Sequence, residues 1–182
     1  MPRRYEIAGQ ARFLTFSCQH RLPLFINDDI KDRFVEHLIR AKENSHLKLF
    51  AWVIMPEHVH LLVLHERPEV TASRFLMQLK RTFAREILSR WRELDAPILN
   101  RLPDAQGRTR FWLKGGGYDR NIRSMNEFHE KVAYIEENPV HRGLVKDKDQ
   151  WRWSSWWWRQ RDGYGGALVD SHRASDAASA SG

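Results

Sequence analysis

The sequence predicts a single α+β domain, an antiparallel sheet with helices on one or both faces. Three observations predict it. Short aromatic and β-branched runs alternate with longer stretches of helical apolar spacing, in the order strand, helix, strand, strand, helix, short strand, helix. The two middle strands are separated only by Pro56-Glu57, a hairpin connection that makes them antiparallel neighbours. A chain of 182 residues that is 42% hydrophobic, with 8 Trp and 9 Phe, suits one core. The domain is expected over residues 1–165. From 166 to 182 the chain is dominated by Ala, Ser and Asp, and a disordered tail is expected there.

Each element has its own reason. Residues 11–18, Ala-Arg-Phe-Leu-Thr-Phe-Ser-Cys, have strand composition. Asn27 or Asp28 can cap a helix over 29–44 whose inner face is Ile30, Phe34, Leu38 and Ile39. Leu47 to Met55 reads as a buried strand ending at Pro56, and His58 to His65 as its hairpin partner. Residues 70–94, capped by Thr71 or Ser73, carry the stripe Phe75, Leu76, Leu79, Phe83, Ile87 and Leu88. Asp95 to Arg110 is polar, with Pro97, Pro103 and Gly107, and reads as a loop. Phe111-Trp112-Leu113 reads as the short strand, followed by a flexible Gly115-Gly116-Gly117. Ser124-Met-Asn-Glu127 has the pattern of a capping box, opening a helix expected to run to Asn138 and stop before Pro139. This element order is that of a ferredoxin-like or RRM-like sheet.

Composition narrows the function classes. Thirty Lys and Arg against 23 Asp and Glu give a formal charge of +7, which points to a polyanion and most simply to nucleic acid. No run approaches the apolar length of a membrane span, so no membrane is expected as partner. The N-terminal Met-Pro-Arg-Arg-Tyr lacks the apolar run of a secretion signal, and a cytoplasmic location is expected. The single cysteine, Cys18, excludes an internal disulfide and a multi-cysteine metal site.

Two residue pairs carry chemistry. His58 and His60 are at i and i+2 on a strand, so both side chains share a face and can converge on one divalent ion. Such a pair by itself is more often a feature of an ordinary strand start, and it needs a third ligand. Tyr134 and Asn138 are at i and i+4 on a helix, one turn apart on one face. A tyrosine hydroxyl is a nucleophile and an amide oxygen a hard ligand, although alone Tyr134 reads as a packing aromatic and Asn138 as a helix end. Tyr118, beside the glycines, is a rival nucleophile; Tyr5 and Tyr164 are poor ones. Glu57, preceding the histidines, either orients an imidazole from outside the ligand set or is a solvated turn residue. His65, at an odd offset from His60, faces the other way and is excluded as a ligand.

These motifs carry a resemblance. Met55-Pro-Glu-His-Val-His-Leu-Leu62 resembles the His-hydrophobe-His (HUH) motif of single-tyrosine transposases, and Tyr134-Ile-Glu-Glu-Asn138-Pro-Val resembles their catalytic helix. The sequence is most similar to the REP-associated tyrosine transposases, with a likeness spread over most of residues 5–158. The segments 51–58, 111–112, 119–123, 138–145 and 151–155 take part in it. The resemblance implies an HUH transposase fold, an RRM-like sheet bearing the histidine pair with the tyrosine on a facing helix. It implies cleavage and rejoining of single-stranded DNA hairpins through a 5′-phosphotyrosine link that leaves a free 3′-OH. Carried over, His58, His60 and Asn138 become ligands of Mg²⁺ or Mn²⁺ and Tyr134 the nucleophile. A monomer is expected, with a dimer left open.

The basic helix face at Arg74, Lys80, Arg81 and Arg85 is a candidate phosphate track, with Arg120, Arg123, Arg3, Arg4 and Arg12 as additions. The segment from Trp151 to Arg161 holds five tryptophans among arginines. Trp151 and Trp153 are expected to pack on the core, and at least one of Trp156–Trp158 to stack on a base. The alternative reading is a nucleic-acid-binding module with an RRM-like sheet and no chemistry.

Overall fold

The computed structural model describes residues 9–66, 71–115, 117–161 and 169–170. Arg3, Arg4, Tyr5, Gly116, Tyr164 and the expected tail, apart from Val169 and Asp170, lie outside the described residues. The elements are β1 (Ala11–Ser17), α1 (Asp28–Glu43), β2 (Leu47–Ile54), β3 (His58–His65), α2 (Ala72–Glu93), β4 (Tyr118–Asn121), α3 (Met125–His141) and a short α4 (Ser155–Arg159). Four strands form one antiparallel sheet in the order β2-β3-β1-β4. With α1 and α2 as crossovers this is the ferredoxin-like arrangement that the element order predicts.

Alternation along the strands splits the core in two. Leu14, Phe16, Trp52, Val59, Leu61 and Val63 face α1 and α2, where they meet Phe34, Leu38, Leu79 and Phe83. Phe13, Val53 and Leu62 face the other way and pack with Phe128 and Ile135 of α3. A register irregularity in β2 between Leu49 and Ala51 adds Phe50, so that Phe50 and Ala51 both join the α3 side. The helix starts are capped as their sequences suggest. Asn27 accepts from Asp29 N (2.8 Å), Thr71 from Arg74 N (3.1 Å) and Ser124 from Glu127 N (3.1 Å). The capping box at Ser124 is only half formed, because Glu127 accepts from Arg123 N (2.9 Å) instead of returning to Ser124.

Three further expectations are corrected. Phe111–Leu113 is not a strand: Trp112 makes a single bridge to Cys18. Phe111 stacks on Trp91 at 5.6 Å and the Trp112 indole donates to Lys80 O at 3.0 Å, so these rings plug the α2 core. The fourth strand is Tyr118–Asn121, whose polar composition hides it. It is held by Arg12, which is 1% exposed and ion-paired with Asp119. That pairing removes Arg12 from the phosphate track. Helix α3 also does not stop before Pro139 but continues to His141. A proline removes its own donor and crowds the carbonyl four residues before it; near the end of α3 that disturbance is local, and hydrogen bonds follow it with Arg142 N on Asn138 O and Leu144 N on Pro139 O.

The C-terminal tryptophans seal the β2 edge. Ile54 N bonds Trp153 O, and the Trp151 indole donates to Ile54 O (3.0 Å). Trp153 is buried and Trp151 packs against both cores, as expected. Trp156 and Trp157 are half-buried, under Lys148 (3.5 Å to the ring centroid) and Arg161 (3.4 Å). Beneath them, buried Glu136 of α3 accepts from Ser155 Oγ (2.6 Å) and pairs with Arg159, which also donates to Phe50 O (2.8 Å). This network ties α3, α4 and β2 together. Glu136→Ala leaves Arg159 partly buried without its partner. It is expected to lower stability by roughly 3 kcal/mol, the low end for breaking a buried pair since Arg159 keeps some solvent contact; urea denaturation measures it.

Candidate active site

The site is on the α3 face of the sheet. The register places Ser17 opposite His58 and Thr15 opposite His60, so β1 supplies the floor beside the pair. The two Nε2 atoms are 3.0 Å apart. His58 Nδ1 is 3.1 Å from Glu57 Oε1, and because a carboxylate only accepts, that nitrogen carries the proton and Nε2 presents its lone pair. His60 Nδ1 is 2.7 Å from Thr15 Oγ1. A hydroxyl serves either tautomer, so Thr15 supports His60 with Nε2 protonated toward His58 or with Nε2 bare. One positive centre, a proton or a cation, therefore fits between the rings. Phe13 stacks on His60 (5.3 Å, 21°) and fixes its plane.

Helix α3 brings the second pair over the first. The Tyr134 ring lies 5.4 Å from that of His60, with the side chain 41% exposed. Asn138 is buried, and its Oδ1 has no hydrogen-bond partner among the described residues. One more turn along, at the C-cap, Arg142 donates to Glu57 Oε1 (2.8 Å), the same oxygen that holds His58. Tyr134, Asn138 and Arg142 follow at four-residue spacing, so Asn138 lies between a residue touching His60 and one tied to the support of His58. Glu57 is thus held between His58 and Arg142 rather than free in solvent. His65 is on the opposite face, paired with Leu47.

Sequence reading missed Thr15, Lys131 and Arg142. The signal for the last two was present: Lys131 is three residues before Tyr134 and Arg142 four after Asn138, on one helical stripe. The Lys131 ammonium is 5.5 Å from the ring centroids of both Tyr134 and Phe13. The DNA-binding candidates divide. Arg74, Lys80, Arg81 and Arg85 are on α2, across the sheet from the histidines. Lys80 is tucked against Phe16 and Trp112, and burial lowers its pKa. A groove of about 600 Å³ between α2 and the β4 edge has Lys80, Arg81, Lys114, Thr15 and Tyr118 among its lining residues. Arg120 and Arg123 are exposed on the α3 side of the chain, and Arg120 pairs with Glu127 (2.8 Å).

Burial dominates the electrostatics. It pushes His60 down to about 3, helped by His58, Arg142 and Lys131, and it lowers His58 against the opposing pull of Glu57. Both rings are thus neutral, the form that binds a metal. Among the described residues no three His, Cys, Asp or Glu side chains cluster as a metal site. A third protein ligand has to be of another kind, and the unpartnered Asn138 Oδ1 fits that role.

The family model described as a transposase, IS200-like, matches residues 12–102. This chain belongs to that family. It is 27% identical over 155 residues to a REP-associated tyrosine transposase of Escherichia coli (strain K12), covering 84% of this chain and 80% of the relative. It is also 27% identical over 154 residues to a protein of Haemophilus influenzae (strain ATCC 51907 / DSM 11121 / KW20 / Rd) that carries the same description, marked there as unproven, over 84% and 83% of the two chains. Among solved structures, a REP-associated tyrosine transposase bound to a REP hairpin superposes with a TM-score of 0.67 at 21% identity, over 94% of each chain. The resemblance read from the two motifs is borne out. The family match spans the histidine pair and ends before α3.

The pKa of His60 has a consequence for stability. The unfolded chain takes up a proton as pH falls through 6.5, while folded His60 does not until about pH 3. The contribution of neutral His60 is therefore complete above pH 6.5 and is lost as pH drops toward 3. In EDTA, the midpoint of urea denaturation is expected to decline below pH 6.5, and His60→Gln should flatten that decline.

Proposed function

We propose that this protein is a DNA strand transferase that cuts and rejoins single-stranded DNA at hairpins through a tyrosine–phosphate link. The observation that carries it is the Tyr134 ring against His60 of the same chain, over two neutral imidazoles whose outer nitrogens converge. Family membership and the relatives named for REP association support the substrate class, as does the net charge of +7.

In this reading Tyr134 Oη attacks phosphorus, the P–O3′ bond breaks, and the 5′ phosphate stays on the tyrosine. The 3′ oxygen leaves and takes up a proton, while the tyrosine proton passes to solvent at the open side of the site. Rejoining is the reverse attack by a 3′-OH on the phosphotyrosine. Phosphoryl transfer is chiefly positioning and charge stabilisation. His58, His60 and Asn138 are proposed to hold a divalent ion, which supplies positive charge to the phosphate oxygens. Carbonyl oxygen suits Mg²⁺ and Mn²⁺ while imidazole favours the softer Mn²⁺, so this set is better matched to Mn²⁺. Thr15 and Glu57 orient the imidazoles, Arg142 holds Glu57 in place, and Lys131 adds positive charge beside the nucleophile. Both Tyr134 and the histidines come from one chain, which supports a site complete in a monomer.

Incubating the protein with hairpin oligonucleotides drawn from DNA flanking the gene, with Mn²⁺ or Mg²⁺, is expected to give an adduct that survives denaturing electrophoresis. Tyr134→Phe should abolish it and Tyr118→Phe should not. An adduct that persists in Tyr134→Phe and vanishes in Tyr118→Phe would transfer the nucleophile to Tyr118. Asn138→Ala should weaken Mn²⁺ binding in titration calorimetry by roughly 10- to 100-fold, the scale on which a lost metal partner is felt. Unchanged affinity would remove Asn138 from the ligand set.

A further inference from the structure

Helix α3 packs chiefly over β2 and β3 and reaches β1 at Phe13 and β4 through the Glu127–Arg120 pair, so that among the described residues the outer part of the same sheet face, at Tyr118, is left open. That open strip has its own chemistry. The registers line up Tyr118, Thr15 and His60 in one row across three strands, and Arg120, Phe13 and Leu62 in the next. By strand spacing Tyr118 is roughly 10 Å from the metal-ligand row. It is 51% exposed and meets Phe13 edge-on (5.9 Å, 62°). Phe13 in turn touches both His60 and Tyr134. The aromatic surface is therefore continuous from the site to the sheet edge. Arg120 lies two residues on along β4, on the same face as Tyr118, and is anchored by Glu127 of α3 (2.8 Å). Lys131 stands over the inner end of the strip. Gly117 lets β4 close on β1, since a Cβ there would come within 3.2 Å of Thr15 O.

A half-exposed ring, with one anchored cation beside it on the same strand face and a second beside the proposed nucleophile, has the features of a single-strand subsite. Bases stack on the ring and phosphates meet the cations. We propose that Tyr118 is a stacking platform for a base in the single strand flanking the scissile phosphate, with Arg120 facing the adjoining phosphate. This rests on the reading of the protein as a hairpin-DNA transferase and adds where the unpaired flank lies. It also gives Tyr118 a role other than nucleophile: β1 separates it from the histidines, whereas Tyr134 touches His60. Charge complementarity commits the strip to DNA rather than to a second copy of this chain.

The test is fluorescence anisotropy in EDTA, where binding is read without cleavage. The probes are hairpins from DNA flanking the gene, either blunt or extended by four unpaired nucleotides on the 5′ or 3′ side. Tyr118→Ala is expected to weaken binding of one extended hairpin roughly tenfold, the order of one lost base–aromatic stack, and to leave the blunt hairpin within twofold. Tyr118→Phe should bind like the unaltered protein, because the ring is kept. An abasic nucleotide at one extension position should abolish the difference between Tyr118→Ala and the unaltered protein. Equal binding of extended hairpins by Tyr118→Ala and the unaltered protein overturns this inference alone. So does a Tyr118→Phe loss as large as that of Tyr118→Ala, or a Tyr118→Ala effect confined to self-association in sedimentation. If the unaltered protein binds neither blunt nor extended hairpins, the transferase reading falls and this inference with it.

Discussion

Two imidazole nitrogens 3.0 Å apart must share one positive centre or repel, and the surrounding structure is arranged around that constraint. Glu57 settles the proton on the far side of His58, and Thr15 accommodates either proton position on His60. Phe13 holds the plane of one ring and burial keeps both neutral. The supporting groups come from two separate parts of the chain: the hairpin turn for Glu57, and β1 for both Thr15 and Phe13. The antiparallel register that sets Thr15 opposite His60 is consequently as necessary as the histidines themselves.

Helix α3 extends the constraint to the opposite side. Its position is fixed at three places: by Phe128 and Ile135 in the core, by Glu136 against Ser155 and Arg159, and by Arg142 on Glu57. The nucleophile candidate therefore sits on a braced helix, not on a loop. A rigid element holds a reacting group closer to a productive position than a mobile one does. The α4 segment, distant in sequence from the histidines, participates through Glu136.

Much of this was legible in the residues. The strands bearing Phe13 and His60 and the helices under Phe34 and Phe83 follow from periodicity, because burial imposes it. The His58/His60 and Tyr134/Asn138 pairs follow from the spacing of side chains that share a face. What escaped reading depended on tertiary contacts. Strand β4 is Tyr-Asp-Arg-Asn, four polar residues whose pairing is secured by a buried Arg12 that sequence assigns to the surface. Phe111 and Trp112 have strand composition, yet their burial is as plugs beneath α2. The end of α3 was misplaced because Pro139 removes a single donor that the last turn does without. The placement of α2 across the sheet from the histidines could not be read at all, since charge on a helix says nothing of which face the helix covers.

The sealed β2 edge has an effect on assembly. With Trp153 and Ser154 occupying the hydrogen-bonding positions beside Ile54 and Val53, a second chain cannot lengthen the sheet there. The remaining rim is β4, the outermost strand in the order β2-β3-β1-β4. Among the described residues, an edge-joined dimer would then grow from the rim that carries Tyr118 and Arg120. Single-stranded DNA lying along that rim, as proposed above, would compete there with an added strand and so favour a sheet of four.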